Sequence, residues 1–400
     1  MNCSQLYEQL LYGMYTEEDV NETNANFLID ISRPCGHQNI TGQYTQLFTT
    51  SHVFTTFRIS KLILLYVSPF ILFFGVFGNI LSFIVLQQQR KKVATYFYLS
   101  ILSIVDTAVL LTGLTRIWGE QLTGKDIQDF SDLTCKLSIF FGHLFSYASV
   151  WIIIAVTVER FVVVKYPFRI LSQCRVRKAK IICGVIFTVI CIINVHFLVL
   201  AEIQLKNGVP KCAIIPSSSA IMHDIWPWID AVVYSFLPFS ILVVLNSVIV
   251  HSICQAKKRR IRMMSFNRRS VDSPSVSKFS KENRKTTVML LALSCAFLLT
   301  TLPMNVAIII SSFWNNSVNR TFEGLGKLHL VKAVAEMLMY INHSINFLFY
   351  CALGEKFRRA MFKVIRITCK RRKEFVNPLI RMEATGIRRL SNAKVTKRLI

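Results

Sequence analysis

Glu159 and Arg160 stand side by side at the end of an apolar run. From Leu137 to Val158 there are 22 residues without Asp, Glu, Lys or Arg. As a helix this run covers about 33 Å, enough to cross a bilayer core. An acid and a base are therefore planted together at a membrane face, where their plain chemistry is an interfacial ion pair with Arg160 snorkelling. Asp106 is the second unusual group, a carboxylate ten residues into another apolar run, where it is costly unless it faces a polar cavity. Metal-dependent hydrolysis lacks its parts: no two of the eight His lie four apart, and no His-Glu-x-x-His occurs.

The elements that must position these groups follow from composition. With 52% hydrophobic residues in 400 and a positive mean hydropathy, the chain has too little polar surface for a soluble globule of its size. Apolar segments of spanning length run from about Leu62 to Leu86, Tyr96 to Trp118, Cys135 to Val164, Ala179 to Leu200, Ile225 to Ile253, Thr287 to Phe313 and Leu328 to Cys351. These seven predict an all-α membrane protein, a seven-transmembrane helix bundle. Pro69, Pro238 and Pro303 lie within segments whose neighbours must satisfy the disturbed backbone. The first residues have no basic region followed by an apolar one, so the first span is expected to direct insertion.

Orientation is read from the basic residues. Connections 1-2, 3-4 and 5-6 and the tail from Glu355 carry most of the 47 Lys and Arg, whereas connection 2-3 has one Lys against four acids. Basic short loops stay cytoplasmic, which places the N-terminus outside and the C-terminus inside. The glycosylation acceptors Asn2, Asn21, Asn39, Asn315 and Asn319 all fall on the predicted outside. A further acceptor pattern at Asn342 lies within the seventh span and is expected to be unusable. The net charge of +25 is confined to one face, so it reads as a topology signal with affinity for anionic membrane lipids, not for nucleic acid.

Motifs narrow the class. "GVFGNILSFIVL" in the first span, "LSIVD" in the second, the Cys135 to Arg160 spacing in the third, Pro238, Pro303 and "NHSINFLFY" in the seventh occur in order. Together they resemble the rhodopsin-like (class A) G-protein-coupled receptors over residues 62 to 366. They look most like invertebrate neuropeptide receptors of the FMRFamide-receptor type and related orphans. Several positions depart from that pattern: Phe347 follows Asn346 where the family has Pro, Thr301 replaces a usual Trp, Asn246 a usual Tyr, and the fourth span lacks its Trp.

The resemblance implies roles. Glu159, Arg160 and Phe161, with Asn346 and Tyr350, form the G-protein switch, in which Glu159 holds Arg160 until the sixth helix moves. Asp106, Ser149, Asn342 and Asn346 form a site for an allosteric sodium ion, the alternative being an Asp106 satisfied by hydrogen bonds alone. No other metal or cofactor is implied. Cys135 and Cys212 form a disulfide, and Cys3 and Cys35 are available for another. Arg116, His143, Ser146, Asp230, Asn305, Lys332 and Glu336 line the ligand pocket, with Arg116 and Glu336 able to pair with each other or to hold opposite charges of a peptide. Gly142 stands where amine receptors carry Asp, which argues against an amine ligand. Trp226 and Trp228 read as an interfacial belt.

The domain reading is an extracellular glycosylated region at 1–61, the seven-helix domain at 62–353, an amphipathic eighth helix at 354–368 and a basic cytoplasmic tail at 369–400. Phe357, Met361, Phe362 and Ile365 are expected to share the apolar face of the eighth helix. Cys369 is a palmitoylation candidate and Ser391 a phosphorylation candidate. The stretch from Met263 to Lys285 reads as disordered between helical extensions. The expected function is non-enzymatic. A plasma-membrane receptor converts binding of an extracellular ligand, a short neuropeptide, into activation of a heterotrimeric G protein, with arrestin and a receptor kinase as further partners. The alternative is a chemosensory or other small-molecule receptor of the same fold. A transporter would be expected to show internal repeats, and none is clear.

Overall fold

The computed structural model describes residues 41–88, 93–166, 175–206, 208–215, 228–229, 231–266, 274–316, 322–355 and 357–366. Among the described residues six helices are long and apolar enough to cross a membrane: Thr55–Gln87 within the first helix, then Ala94–Thr123, Asp132–Lys165, Val176–Leu200, Ala231–Ala256 and Arg284–Ser311. The seventh helix is Phe322–Ser344 continued by Asn346–Leu353, and it packs against the first and sixth. Lys327, Lys332 and Glu336 in its first half explain why it is less apolar than the others.

Exposure in this bundle is inverted relative to a soluble protein. Phe70, Phe73, Phe74 and Phe77 stand exposed on the first helix, while Asp106, Ser149 and Asn79 are fully buried. Such a surface suits lipid, and the polar groups must then find partners within the bundle. One apolar core joins Leu99, Leu102, Ile152, Leu242, Leu293 and Tyr350, and a second joins Leu64, Leu110, Leu114, Met337 and Tyr340. Gly75 lets the first helix approach both neighbours. A Cβ there would lie 2.6 Å from Leu110 Cδ1 and 2.7 Å from Ser344 Cβ, so any larger residue would push the first helix away.

The helices carry local irregularities. The second contains a π-helical turn, Leu110–Leu114, and the fifth opens on another, Ala231–Phe236. Such turns widen the backbone and re-aim side chains. The seventh helix is interrupted at Ile345, one residue before Asn346. The bend therefore exists although Phe347 replaces the usual Pro. Its cause is visible: Asn79 Nδ2 donates to the His343 carbonyl at 2.8 Å, engaging an acceptor that the next helical turn would otherwise use.

Two connections differ from the sequence reading. The segment after the fourth helix forms an antiparallel hairpin, β1 Ala201–Lys206 with β2 Val209–Ile214, pairing Ala201 with Ile214 and Lys206 with Val209. Gly208 turns it at φ 82°, a conformation that favours glycine. In the stretch from Met263 to Lys285, residues 263–266 and 274–285 are helical, and 267–273 lie outside the described residues. The fifth helix runs to Phe266 and the sixth begins at Pro274, because Lys, Glu and Arg are good helix formers and Pro fits a first helical position.

Residues 357–366 are helical. The four apolar side chains expected on one face are divided. Phe357 and Ala360 are buried and Met361 and Val364 half-buried, while Phe362 and Ile365 are exposed. Positions 357, 360, 361 and 364 form the helical stripe that meets the bundle, with the Phe357 ring 5.5 Å from that of Tyr350.

Candidate ligand and switch sites

The Cys135 end of the third helix is built by local signals in connection 2-3. Ser131 caps the helix: its hydroxyl accepts from the Thr134 N–H at 3.2 Å while Thr134 Oγ1 accepts from the Ser131 N–H at 3.0 Å. Four residues in, Cys135 is joined to Cys212 on β2. The acids beside the cap complete the attachment. Asp129 accepts the Cys212 N–H at 2.8 Å and the Lys211 ammonium at 2.7 Å, and Asp132 accepts the Ile203 N–H at 2.7 Å. The hairpin is thus held by a covalent bond and by hydrogen bonds to both strands.

Beneath it lie the residues expected to line a ligand pocket. His143 Nδ1 lies 2.8 Å from the Ile139 carbonyl oxygen, and its ring sits 4.6 Å from Phe197 and 5.8 Å from Tyr147. Tyr147 stacks on Tyr234 at 5.5 Å. Ser146 is half-buried on the preceding position. Ser235 donates to Asn305 at 2.6 Å, joining the fifth and sixth helices, and Lys332 donates to Ser311 at 2.7 Å, joining the seventh and sixth. Asp230 and Trp226 lie outside the described residues, and Trp228 is exposed.

Arg116 and Glu336 do not pair with each other. Arg116 Nη1 meets Asp126 Oδ2 at 2.5 Å, and Asp126 also accepts the Gln128 N–H at 3.0 Å, so this acid serves both as counter-ion and as turn cap. Glu336 is half-buried and stands near enough to Arg116 and Lys332 to feel both charges, without a direct ion pair to either among the described residues. Its position is nevertheless central. A Cβ at Gly113 would lie 2.5 Å from the Tyr340 hydroxyl, so the second and seventh helices touch there. Arg116 and Glu336 each stand about one helical turn beyond that contact, toward the hairpin.

Asp106 forms the centre of the bundle. Its Oδ1 accepts from Ser149 Oγ at 2.7 Å and lies 2.8 Å from His343 Nδ1, and its Oδ2 accepts from Asn346 Nδ2 at 2.6 Å. Ser149 and Asn346 were expected here; His343 takes the place expected of its neighbour Asn342. With the seventh helix interrupted at Ile345, four-residue spacing back from Asn346 no longer identifies the facing residue. The donors around the carboxylate also bear on a sodium ion. A hard cation takes oxygen lone pairs, whereas the groups aimed at Asp106 are a hydroxyl proton, an amide N–H and a ring nitrogen. This arrangement does not fit the ion.

At the other end of the third helix, Arg160 is buried and Glu159 Oε2 accepts from Thr95 Oγ1 of the second helix at 2.7 Å. The hydrogen bond that Glu159 makes is therefore across a helix interface. Phe161 stacks against a cation instead, with Lys165 Nζ 5.4 Å from its ring centre. Tyr350 is buried, and its hydroxyl has no hydrogen-bond partner among the described residues. A cavity beside it is lined by Tyr96, Leu99, Met289 and Phe357 and by Glu355, which binds both Lys285 of the sixth helix and Arg359. The Lys285 ammonium and the Arg359 guanidinium hold the Glu355 carboxyl below the usual carboxylate range.

Residues 78–350 match the family described as 7 transmembrane receptor (rhodopsin family). The chain belongs to this family. The receptor is 26% identical to the human growth hormone secretagogue receptor type 1 over 310 residues, covering 73% of this chain and 77% of that one. It is 24% identical to the human neuromedin-U receptor 2 over 343 residues, covering 82% and 77%. It is also 24% identical to the Drosophila melanogaster FMRFamide receptor over 315 residues, covering 71% of this chain and half of that one. With its long apolar helices, this membership makes the receptor a multi-pass membrane protein.

Several residues of the receptor's sites escaped sequence reasoning. Asp126 and Asp129 read in the sequence only as loop charge, although an Asp two residues before a turn amide is a common cap. The hairpin was signalled by Asn207-Gly208 between two short strand-like runs. Glu355 is the lone acid of a basic stretch, which marks it as a counter-ion. The acceptors Asn2, Asn21, Asn39 and Asn319, the half-cystine candidates Cys3 and Cys35, Cys369 and Ser391 lie outside the described residues; Asn315 falls in the last turn of the sixth helix.

Proposed function

We propose that this receptor binds a short extracellular peptide beneath the hairpin and passes the signal to a heterotrimeric G protein at the Arg160 end. The observation that carries the reading is the arrangement above Tyr340. A hairpin pinned by Cys135–Cys212 and Asp129 stands at the outer end of the bundle, toward which lies a half-buried Glu336 that feels the charges of Arg116 and Lys332 but is bonded to neither, because Arg116 is held by Asp126 and Lys332 by Ser311. A carboxylate left in that position is suited to a basic group of a peptide, such as an arginine or an N-terminal amine. Relatives whose names specify FMRFamide and neuromedin-U as ligands support the peptide class.

In this reading the chain is a receptor and not an enzyme. Its N-terminus, with the acceptors at Asn2, Asn21 and Asn39, faces outside at the plasma membrane, and its basic tail faces inside, against anionic lipid, where Cys369 is acylated and Ser391, in a pattern that suits a basophilic kinase, is phosphorylated to favour arrestin. Ligand binding favours an arrangement in which the Lys285–Glu355 link opens and Arg160 becomes accessible to the G protein.

The test is a library of amidated and free peptides applied to cells expressing the full chain, read by G-protein dissociation. A responding peptide that carries a basic group should lose about tenfold in potency with Glu336→Gln, which corresponds to about 1.4 kcal/mol. Equal potency at both receptors would remove Glu336 from the site.

A further inference from the structure

The junction of the second, third and seventh helices holds a group that the sequence did not assign. Asp106 has no exposed surface, and the His343 side chain beside it is only 1% exposed. A buried carboxylate within a membrane bundle needs either a cation or enough hydrogen-bond donors to replace its hydration. Here the donors are present. Ser149 and His343 share Oδ1, and Asn346 takes Oδ2. His343 Nδ1 also lies 3.5 Å from Ser149 Oγ, and the His343 backbone is fixed by Asn79 at 2.8 Å, so the imidazole is held from both sides.

We infer that His343 is the internal counter-group of Asp106, and that it occupies the place of a sodium ion, so that this receptor's conformational balance is set without one. A sodium ion at Asp106 would require the Ser149 hydroxyl to rotate, the Asn346 amide to turn its oxygen inward and the imidazole to leave. Three rearrangements of buried groups would be paired against the binding of one ion that gains few oxygen ligands. Replacing the imidazole by a small oxygen-bearing side chain reverses the balance, because it frees volume and supplies a lone pair at the same point. His343 is thus a positioning residue, acting through Asp106 on the packing of three helices.

The experiment is thermal unfolding of the purified full chain in sodium chloride, potassium chloride and N-methylglucamine chloride at equal ionic strength. The native receptor is expected to unfold at the same temperature in all three. His343→Ser is expected to unfold at a lower temperature in potassium and N-methylglucamine and to recover by several degrees in sodium alone, as ligation of the folded state requires. His343→Asn, whose amide can present its oxygen, serves in the same way should the Ser variant fail to fold. A sodium-specific rise in the native receptor would overturn the proposal, as would variants that fold but show no sodium dependence.

Discussion

Asn79 on the first helix donates its amide to the carbonyl oxygen of His343 on the seventh, at 2.8 Å, and two residues later the seventh helix breaks. The same His343 turns its ring to Asp106. One residue is therefore fixed by its backbone to the first helix and by its side chain to the second, and the bend of the seventh helix follows from that double attachment.

If the bend comes from Asn79, a proline at the family's usual position adds little strain. Pro in a regular helix interior costs about 3 kcal/mol, through a lost N–H and a clash with the carbonyl four residues back. At Phe347 that carbonyl belongs to His343 and is already engaged by Asn79. Phe347→Pro is expected to unfold within about 1 kcal/mol of Phe347→Ala, which loses the same ring packing. Thermal or denaturant unfolding of the two variants checks this, and a Pro variant much weaker than the Ala variant would show a regular helix there.

The buried Tyr350 hydroxyl has no partner among the described residues. An unsatisfied buried hydroxyl costs about 1–3 kcal/mol, so Tyr350→Phe is expected to stabilise this conformation by about 1 kcal/mol. Unfolding at a higher temperature, together with lower ligand-independent signalling, is the predicted outcome. A fall in both would mean that the hydroxyl is satisfied in the resting receptor.

Asp129 holds the hairpin by a backbone amide as well as by an ion pair. The Lys211 partner is only partly buried and an ion pair of that kind contributes little, whereas losing the acceptor for the Cys212 N–H costs about 1 kcal/mol. Asp129→Ala is expected to destabilise the receptor clearly more than Lys211→Ala. Hydrogen exchange at Cys212 should rise in the first variant and stay near the native rate in the second.

These cases show what was legible in advance. Six of the spans could be read because each is apolar over a bilayer thickness, the less apolar seventh because Leu328 to Cys351 is still rich in apolar residues, and Cys135 and Cys212 because the resemblance supplied the pair. The partners of Asp106 and Arg116 could be read only in part. Which of Asn342 and His343 faces Asp106 depends on a helix break made by Asn79, far away in the sequence. Asp126 reaches Arg116 because the second helix stops at Thr123 and Gly124, at φ 67°, turns the chain, leaving Asp126 as the cap of the short 3-10 turn Ile127–Phe130. The Glu355 link depends on how the sixth and seventh helices meet, which no local pattern records.

Lys285 and Arg359 depress the Glu355 carboxyl below its ordinary range. A depressed carboxylate contributes stability above its unfolded value, about 4.3, and that contribution is lost as pH falls through the lower folded value. Glu355→Gln should therefore unfold earlier than the native receptor at neutral pH, with the difference shrinking below about pH 4.3. Raised ligand-independent signalling in the same variant would mark the link as a restraint on the sixth helix. A difference that is constant across pH would exclude the charge as its cause.

The central claim is tested most directly by G-protein dissociation in cells that display the full chain, challenged with a neuropeptide library across the major Gα subtypes, with Arg160→Ala expressed to the same surface level. The account predicts a saturable response to at least one peptide that is lost in the Arg160 variant. Silence from every peptide and every Gα subtype in a receptor present at the surface, or a response that survives the loss of Arg160, would contradict it.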